Sequence, residues 1–170
     1  MESSMHNELT KNDIKKMEDE IEYRVQVVRK QALEDVKEAR AHGDLSENFE
    51  YHAAKKDKNM NESRIRYLER MLKNAEIVSD QSKSDEVGIN NTVTLYMEDD
   101  DEEETYKIVT SIRGNSMKGH ISTESPMGKA LLGHKVGERV YIKVNENFGY
   151  YAVIRKIENT DDGGDEIRKF

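Results

Sequence analysis

Apolar side chains recur at steps of three and four through the first part of the chain, at Ile14, Met17, Ile21, Val25, Val28, Ala32, Val36 and Ala39. That spacing puts one narrow stripe on a helix whose other faces are charged. A second stripe, Ile65, Leu68, Leu72 and Ala75, runs back in the same register through Asn61, Lys58 and Ala54. Two helices with one stripe each bury them against one another, so residues 1–79 are predicted to form an antiparallel two-helix coiled-coil hairpin. Arms of about 30 residues rising 1.5 Å each would make it roughly 45 Å long. Thr10 is the expected N-cap of the first arm, with Asp13 in its first turn. Past Gly88 the period shortens, and strands are expected at 92–97, 105–111, 119–122, 139–144 and 150–157. Between them Ser125 caps a short helix that opens on Pro126 and stops at Gly133. Strands around one short helix predict a small α+β domain over 89–158. The polar stretch 80–88 reads as a linker, 98–104 as a solvated acidic hairpin loop, and 159–170 as a frayed, flexible tail.

Glycine and proline sharpen this division. Of ten Gly and one Pro, only Gly43 precedes Val87. Gly and Pro interrupt regular structure, so the first half is helix broken once and the second half is short elements joined by turns. The low apolar content, 35% of residues, suits a hairpin that needs only one stripe per helix.

Charge and cysteine content remove several function classes. The formal net charge is −8, which excludes a globally basic nucleic-acid binder. From Asp80 onward 12 basic residues face 18 acidic ones, against 15 and 17 before it, so the second half carries most of the excess and suits a protein target better than free nucleic acid. With no Cys there is no disulfide partner, thiolate metal site or cysteine nucleophile. No apolar run reaches the roughly 20 residues of a membrane span. The start of the chain lacks the basic-then-apolar build of a signal peptide, so a cytoplasmic location is expected.

The candidate chemistry gathers at the hairpin tip, 42–48. Gly43 suits the left-handed conformation that ends a helix, and Asp44 with Glu47 three residues on fits a cap for the second arm. The same i, i+3 spacing lets both carboxylates face one way at the end of a long hairpin, where side chains can be delivered into a partner. Both readings stand on the pattern alone. His42 and His52, ten residues apart, lack the spacing of a helical metal pair. On the second arm Lys55, Arg66, Arg70 and Lys73 share a flank, within a stretch of seven basic and three acidic residues. Such a flank is either a solvated coiled-coil face or a short electropositive track for a phosphate backbone.

Two segments carry a family resemblance. Residues 39–55, A-R-A-H-G-D-L-S-E-N-F-E-Y-H-A-A-K, are similar to the coiled-coil tip signature of the Gre transcript cleavage factors, in its GreA type. Residues 125–140, S-P-M-G-K-A-L-L-G-H-K-V-G-E-R-V, resemble that family's C-terminal domain. The likeness spans about 8–158. It departs from the family pattern at Phe49, often Ala, and at Asn12-Asp13, usually Glu-Gly and a replacement of little expected consequence. It also lacks the Pro-Gly-Gly turn often found before the last strand.

The resemblance implies an FKBP-like C-terminal domain that docks on bacterial RNA polymerase at the rim of its secondary channel, with Ser125, Pro126 and Met127 as the expected contact. The coiled coil would enter the channel, with Lys55, Arg66, Arg70 and Lys73 against RNA or channel wall. Asp44 and Glu47 would then help hold the second Mg²⁺ of the polymerase active centre against the backtracked RNA 3′ end. The family implies no cofactor of its own, no catalysis outside the complex, and a monomeric accessory factor that stimulates the polymerase's endonucleolytic activity. The alternative is a non-cleaving channel binder that inhibits or tunes polymerase.

Overall fold

The computed structural model describes residues 7–43 and 48–169. They fall into two compact units, one from Met1–Asp13 with Glu76–Phe170 and one from Ile14–Ala75. The stretch 80–88, expected as a linker, belongs to the first of these.

The helical unit is the hairpin. Its first arm runs through α1 (Lys11–Tyr23), a π-helical stretch Arg24–Val28 and α2 (Arg29–Arg40), and its second arm is α3 (Phe49–Lys73). Ala32, Val36 and Ala39 of one arm and Ala54, Ile65 and Leu68 of the other are buried along the predicted stripes. The middle of this seam is polar. Asn61, only 3% exposed, donates from Nδ2 to the Arg24 carbonyl at 3.3 Å and accepts from the Arg24 guanidinium at 3.0 Å. The Arg29 N–H also reaches the Arg24 carbonyl, across one residue more than an α-helix allows. A side chain bonded into the backbone ladder is a recognised cause of such a local widening. Glu20 accepts from Arg24 at 2.7 Å and from Arg64 at 2.8 Å, while Arg29 and Glu62 form a two-pronged pair at 2.9 and 3.0 Å. Burial opposes the charge on Glu20, yet hydrogen bonds from Arg64 and Arg24 hold its carboxyl below the ordinary value.

The other unit is α+β. Its five-stranded sheet has the order β5-β4-β3-β7-β6, built from β3 (Asn91–Met97), β4 (Glu102–Val109), β5 (His120–Ser122), β6 (Arg139–Asn145) and β7 (Phe148–Asn159). Only the β4–β5 pair is parallel. The short helix α4 (Pro126–Leu131) supplies Leu131 to a core of Val93, Leu95, Met97, Ile108, Val140, Ile142, Ala152 and Ile154. The strand pattern in β3 alternates strictly, with Val93, Leu95 and Met97 inward, which is the two-residue period expected of a half-buried strand. Gly128 is required on α4: a Cβ there would lie 2.0 Å from the Ser122 carbonyl oxygen.

Two expectations are corrected in this unit, and two unpredicted strands appear. The acidic run 98–104 is not all loop, because Glu102, Glu103 and Glu104 pair with Met97, Tyr96 and Leu95 in β4. The reversal is compressed into a tight turn in which Asp101 adopts φ 50° and accepts a 2.6 Å hydrogen bond from the Tyr96 hydroxyl. Two short strands, β1 (Glu8–Leu9) and β2 (Glu76–Ile77), pair in parallel, too brief to leave a periodic signal. Finally, Asp13 is far from inconsequential. It completes a reciprocal cap with Thr10, whose backbone N–H it accepts at 3.0 Å while its own donates to the Thr10 hydroxyl at 3.1 Å. Fully buried, it also accepts from Thr110 at 2.7 Å and from the buried Arg113 at 2.5 Å.

The tail 159–170, expected to fray, is also pinned as far as it is described. Asn159 completes β7, and the residues after it hydrogen-bond to Asn90, Lys107, Ile112 and Arg113. A string of polar partners from β4 and the loops beside it replaces the missing apolar anchor.

Candidate functional site

The hairpin tip is assembled from the ends of α2 and α3. Helix α2 tightens at its end, with the Ala41 and His42 N–H groups donating to the Glu38 and Ala39 carbonyls at 3.1 and 3.2 Å. Gly43 follows at φ +121°, open backbone that an L side chain rarely adopts. The second arm then begins at Phe49, and its cap is Asn48: the side-chain oxygen accepts from the Tyr51 N–H at 2.9 Å. This corrects the sequence reading, which gave that cap to Asp44 with Glu47. Asn48 also donates from Nδ2 to the Ala39 carbonyl at 2.6 Å, so a single side chain closes the base of the tip across both arms. Asparagine ranks with aspartate as a cap, and the competing Asp-x-x-Glu pattern concealed it.

Asp44 and Glu47 themselves lie outside the described residues. Around them, Arg40 stands 5.5 Å from the Tyr51 ring centroid, and its hydrogen bond lowers the Tyr51 phenol below the ordinary value. His42 Nδ1 meets Glu50 Oε2 at 2.9 Å in an exposed pair, while the His52 ring lies 5.5 Å from that of Tyr51. Asp35, Glu38, Ala39, His42, Glu50 and Ala54 line a shallow depression just behind the tip. Among the described residues no group of three or more His or carboxylate side chains could hold a metal ion. Phe49 is 86% exposed, so its phenyl ring projects into solvent at the start of α3.

The basic flank separates into two kinds of residue. Helix α3 is unbroken from Phe49 to Lys73, so Lys55, Arg66, Arg70 and Lys73 keep their shared face, and all four are exposed. None of them forms an ion pair among the described residues; Arg66 donates to the Ser63 hydroxyl at 3.0 Å and Arg70 lies 5.8 Å from the Tyr67 ring. Arg64, counted in the same basic stretch, instead turns into the seam onto Glu20 and is 7% exposed. The flank is therefore a solvated row of four cations, and Arg64 stands apart from it in the seam.

At the third predicted position, Ser125 caps α4 by accepting from the Gly128 N–H at 3.1 Å, and Pro126 occupies the first turn and is exposed. Met127, expected to be exposed, is half-buried and packs on the sheet core, because the first turn of this six-residue helix already faces the sheet. Met117, 97% exposed, was not singled out in the sequence; a lone methionine between a Ser and a Lys carries no periodic signal.

Known proteins match this chain over nearly its whole described length. Residues 7–77 match the family described as "Transcription elongation factor, N-terminal", and residues 81–159 match "Transcription elongation factor, GreA/GreB, C-term". The chain is similar to transcription elongation factor GreA of Caldanaerobacter subterraneus, at 48% identity over 80% of this chain and 87% of the relative. It is 47% identical to GreA of Chloroherpeton thalassium over 86% of this chain and 93% of that one. With GreA of Bacillus subtilis it shares 43% identity over 79% and 86%. No helix among the described residues is long and apolar enough to cross a membrane.

Proposed function

The chain belongs to the GreA/GreB family of transcription elongation factors, and from that premise we propose that it binds bacterial RNA polymerase at the secondary channel and stimulates hydrolytic cleavage of backtracked nascent RNA. The α+β domain docks at the channel rim near Ser125 and Pro126, with Met127 acting from beneath as packing. The hairpin carries the tip inward, and Lys55, Arg66, Arg70 and Lys73 offer unpaired positive charge to a phosphate backbone. Asp44 and Glu47 are the residues that would hold a Mg²⁺ jointly with polymerase groups, and that ion supplies an activated water and charge stabilisation on the leaving oxygen. Two carboxylates completed by a partner suit Mg²⁺, which keeps most of its ligands as water and takes few from protein. The hydrolysis belongs to the polymerase; this chain is a monomeric accessory factor working in the cytoplasm, without a cofactor of its own.

The observation that carries this reading is Asn48. Capping is the ordinary explanation for an Asp-x-x-Glu pattern at the start of a helix, and here Asn48 caps α3. Capping thus supplies no reason for Asp44 and Glu47 to be present, whereas delivery of carboxylates into polymerase does. The test is the length of radiolabelled RNA in stalled, backtracked elongation complexes after the protein is added. Shortened RNA with resumed elongation is expected. Asp44→Ala or Glu47→Ala should reduce the cleavage rate by about 100-fold or more while polymerase binding persists. Equal cleavage by both variants sinks the tip mechanism, and a block without shortening identifies the non-cleaving channel binder instead.

A further inference from the structure

Beyond Asn159 the chain forms a short strap on the α+β unit, outside the 81–159 span matched by the family. The Thr160 hydroxyl donates to the Asn90 carbonyl and lies 2.9 Å from the Thr92 hydroxyl. A turn follows, in which the Gly163 N–H donates to Asp161 Oδ1 at 2.9 Å, Gly164 adopts φ +82° and the Asp165 N–H donates to the Asp162 carbonyl at 3.1 Å. This turn aims the Asp165 carboxylate inward. Its Oδ2 accepts from Lys107 Nζ at 3.0 Å and from Arg113 Nη1 at 3.0 Å, and its side chain is 7% exposed. Lys107 also donates to the Asp161 carbonyl, and the Arg168 N–H donates to the Ile112 carbonyl at 2.7 Å.

The receiving side is a built anion seat. Arg113 is wholly buried, oriented by Asp13 at 2.5 Å and Asn90 at 2.7 Å, so its guanidinium cannot swing away to water. Its Nη2 is buried and has no partner among the described residues. Lys107 comes from β4 and His120 from β5, the residues paired in register across those two strands. His120 and Asp165 interact electrostatically, each shifting the other. Burial works against the charge on Asp165, but Lys107 and Arg113 outweigh it and keep the carboxyl below its ordinary value.

Besides this seat the strap is tied by Thr160 to the Asn90 carbonyl, by the buried Asp162, which accepts from Asn12 Nδ2 at 3.5 Å, and by the Arg168 N–H to the Ile112 carbonyl, all of them polar contacts. No strap residue belongs to the hydrophobic core, and Asp161, Gly163, Gly164, Glu166, Arg168 and Lys169 are all exposed. We propose that Lys107, Arg113 and His120 form a carboxylate-binding seat on this domain, and that Asp165 is its tethered, displaceable occupant, replaceable by an acidic peptide segment of a protein partner. Tethering gives the strap an effective concentration of order millimolar, so a competing segment must add contacts of its own to displace it. The seat is a property of the C-terminal domain and stands whether or not the tip stimulates cleavage.

The test uses the full chain. Hydrogen exchange at residues 160–169, with the Arg168 amide as reporter, should accelerate at least 10-fold in Asp165→Asn and in Lys107→Gln, and remain at the parent rate in the exposed Glu166→Gln. A synthetic peptide of residues 159–170, added in trans, should bind the Asp165→Asn chain at least 10-fold more tightly than the parent, whose seat is filled. The same peptide carrying Asp165→Asn should lose that binding, as should the chain carrying Asp165→Asn with Lys107→Gln. Equal peptide binding by parent and Asp165→Asn chains overturns the proposal. So does accelerated exchange spread through the whole sheet, because a displaceable strap lifts without unfolding the domain it covers.

Discussion

Among the described residues each unit buries one arginine, and the two are used differently. In the hairpin Arg64 lies in a seam whose apolar share is small, and its partner Glu20 is shared with Arg24 and remains partly exposed. In the α+β unit Arg113 is fully enclosed beside an apolar core and gathers Asp13, Asn90 and Asp165 from three distant parts of the chain. In the two-helix seam Arg64 is itself buried, but its carboxylate partner Glu20 keeps contact with water and with Arg24, so no enclosed interior isolates the pair. A sheet with a helix on one face and a strap beside it does have such an interior, and a charge within it depends on every partner. The same side chain is thus a modest tie in one unit and a hub in the other.

Replacing each arginine by an apolar residue of similar length tests that contrast directly. Arg113→Met leaves two buried carboxylates facing a lost cation and should destabilise the α+β unit by about 3–5 kcal/mol in chemical denaturation followed by circular dichroism. Arg64→Met leaves Glu20 still paired with Arg24, and the hairpin should lose only about 1–2 kcal/mol. Similar losses from the two variants would erase the distinction between seam and hub.

The smallest effect concerns His120. Burial is the main cause of its lowered pKa, with Lys107, Lys118 and Arg113 acting in the same direction and Asp165 against them. The folded state therefore binds fewer protons than the unfolded one between the lowered value and the ordinary histidine value of 6.5. In that window stability must fall as pH falls, levelling off once the folded form also protonates. Between pH 7.5 and 5.5 the unfolding temperature of the α+β unit should drop by about a degree, and His120→Gln should remove that slope. A slope that persists in the variant assigns it to another group.

Much of both units was legible in order along the chain. The stripe from Ile14 to Ala39 and its partner through Ile65 and Leu68 announced the hairpin, since helical period depends only on neighbours three and four residues away. Ser125, Pro126 and Gly133 bracketed α4 for the same local reason. At the tip, Gly43 was placed correctly, but the cap was assigned one turn too early because Asp44 and Asn48 are both good caps. The polar Asn61 in the second stripe was legible as a break in the apolar pattern, yet nothing local tied it to the Arg24 carbonyl 37 residues away.

What the amino-acid sequence by itself determined is the set of local decisions: which segments are helix or strand, where they start and stop, and which two signatures mark the family. Tertiary structure alone decided which charges leave the surface. Arg64 and Arg66 are two residues apart on one helix, and only the first meets a carboxylate across the seam. Asp13 and Arg113 are separated by 100 residues, and Asp165 reaches the same guanidinium from 52 residues away. A helical or strand period is encoded by adjacent residues, whereas the worth of an ion pair depends on the solvent excluded around it, and that exclusion exists only after the chain has folded.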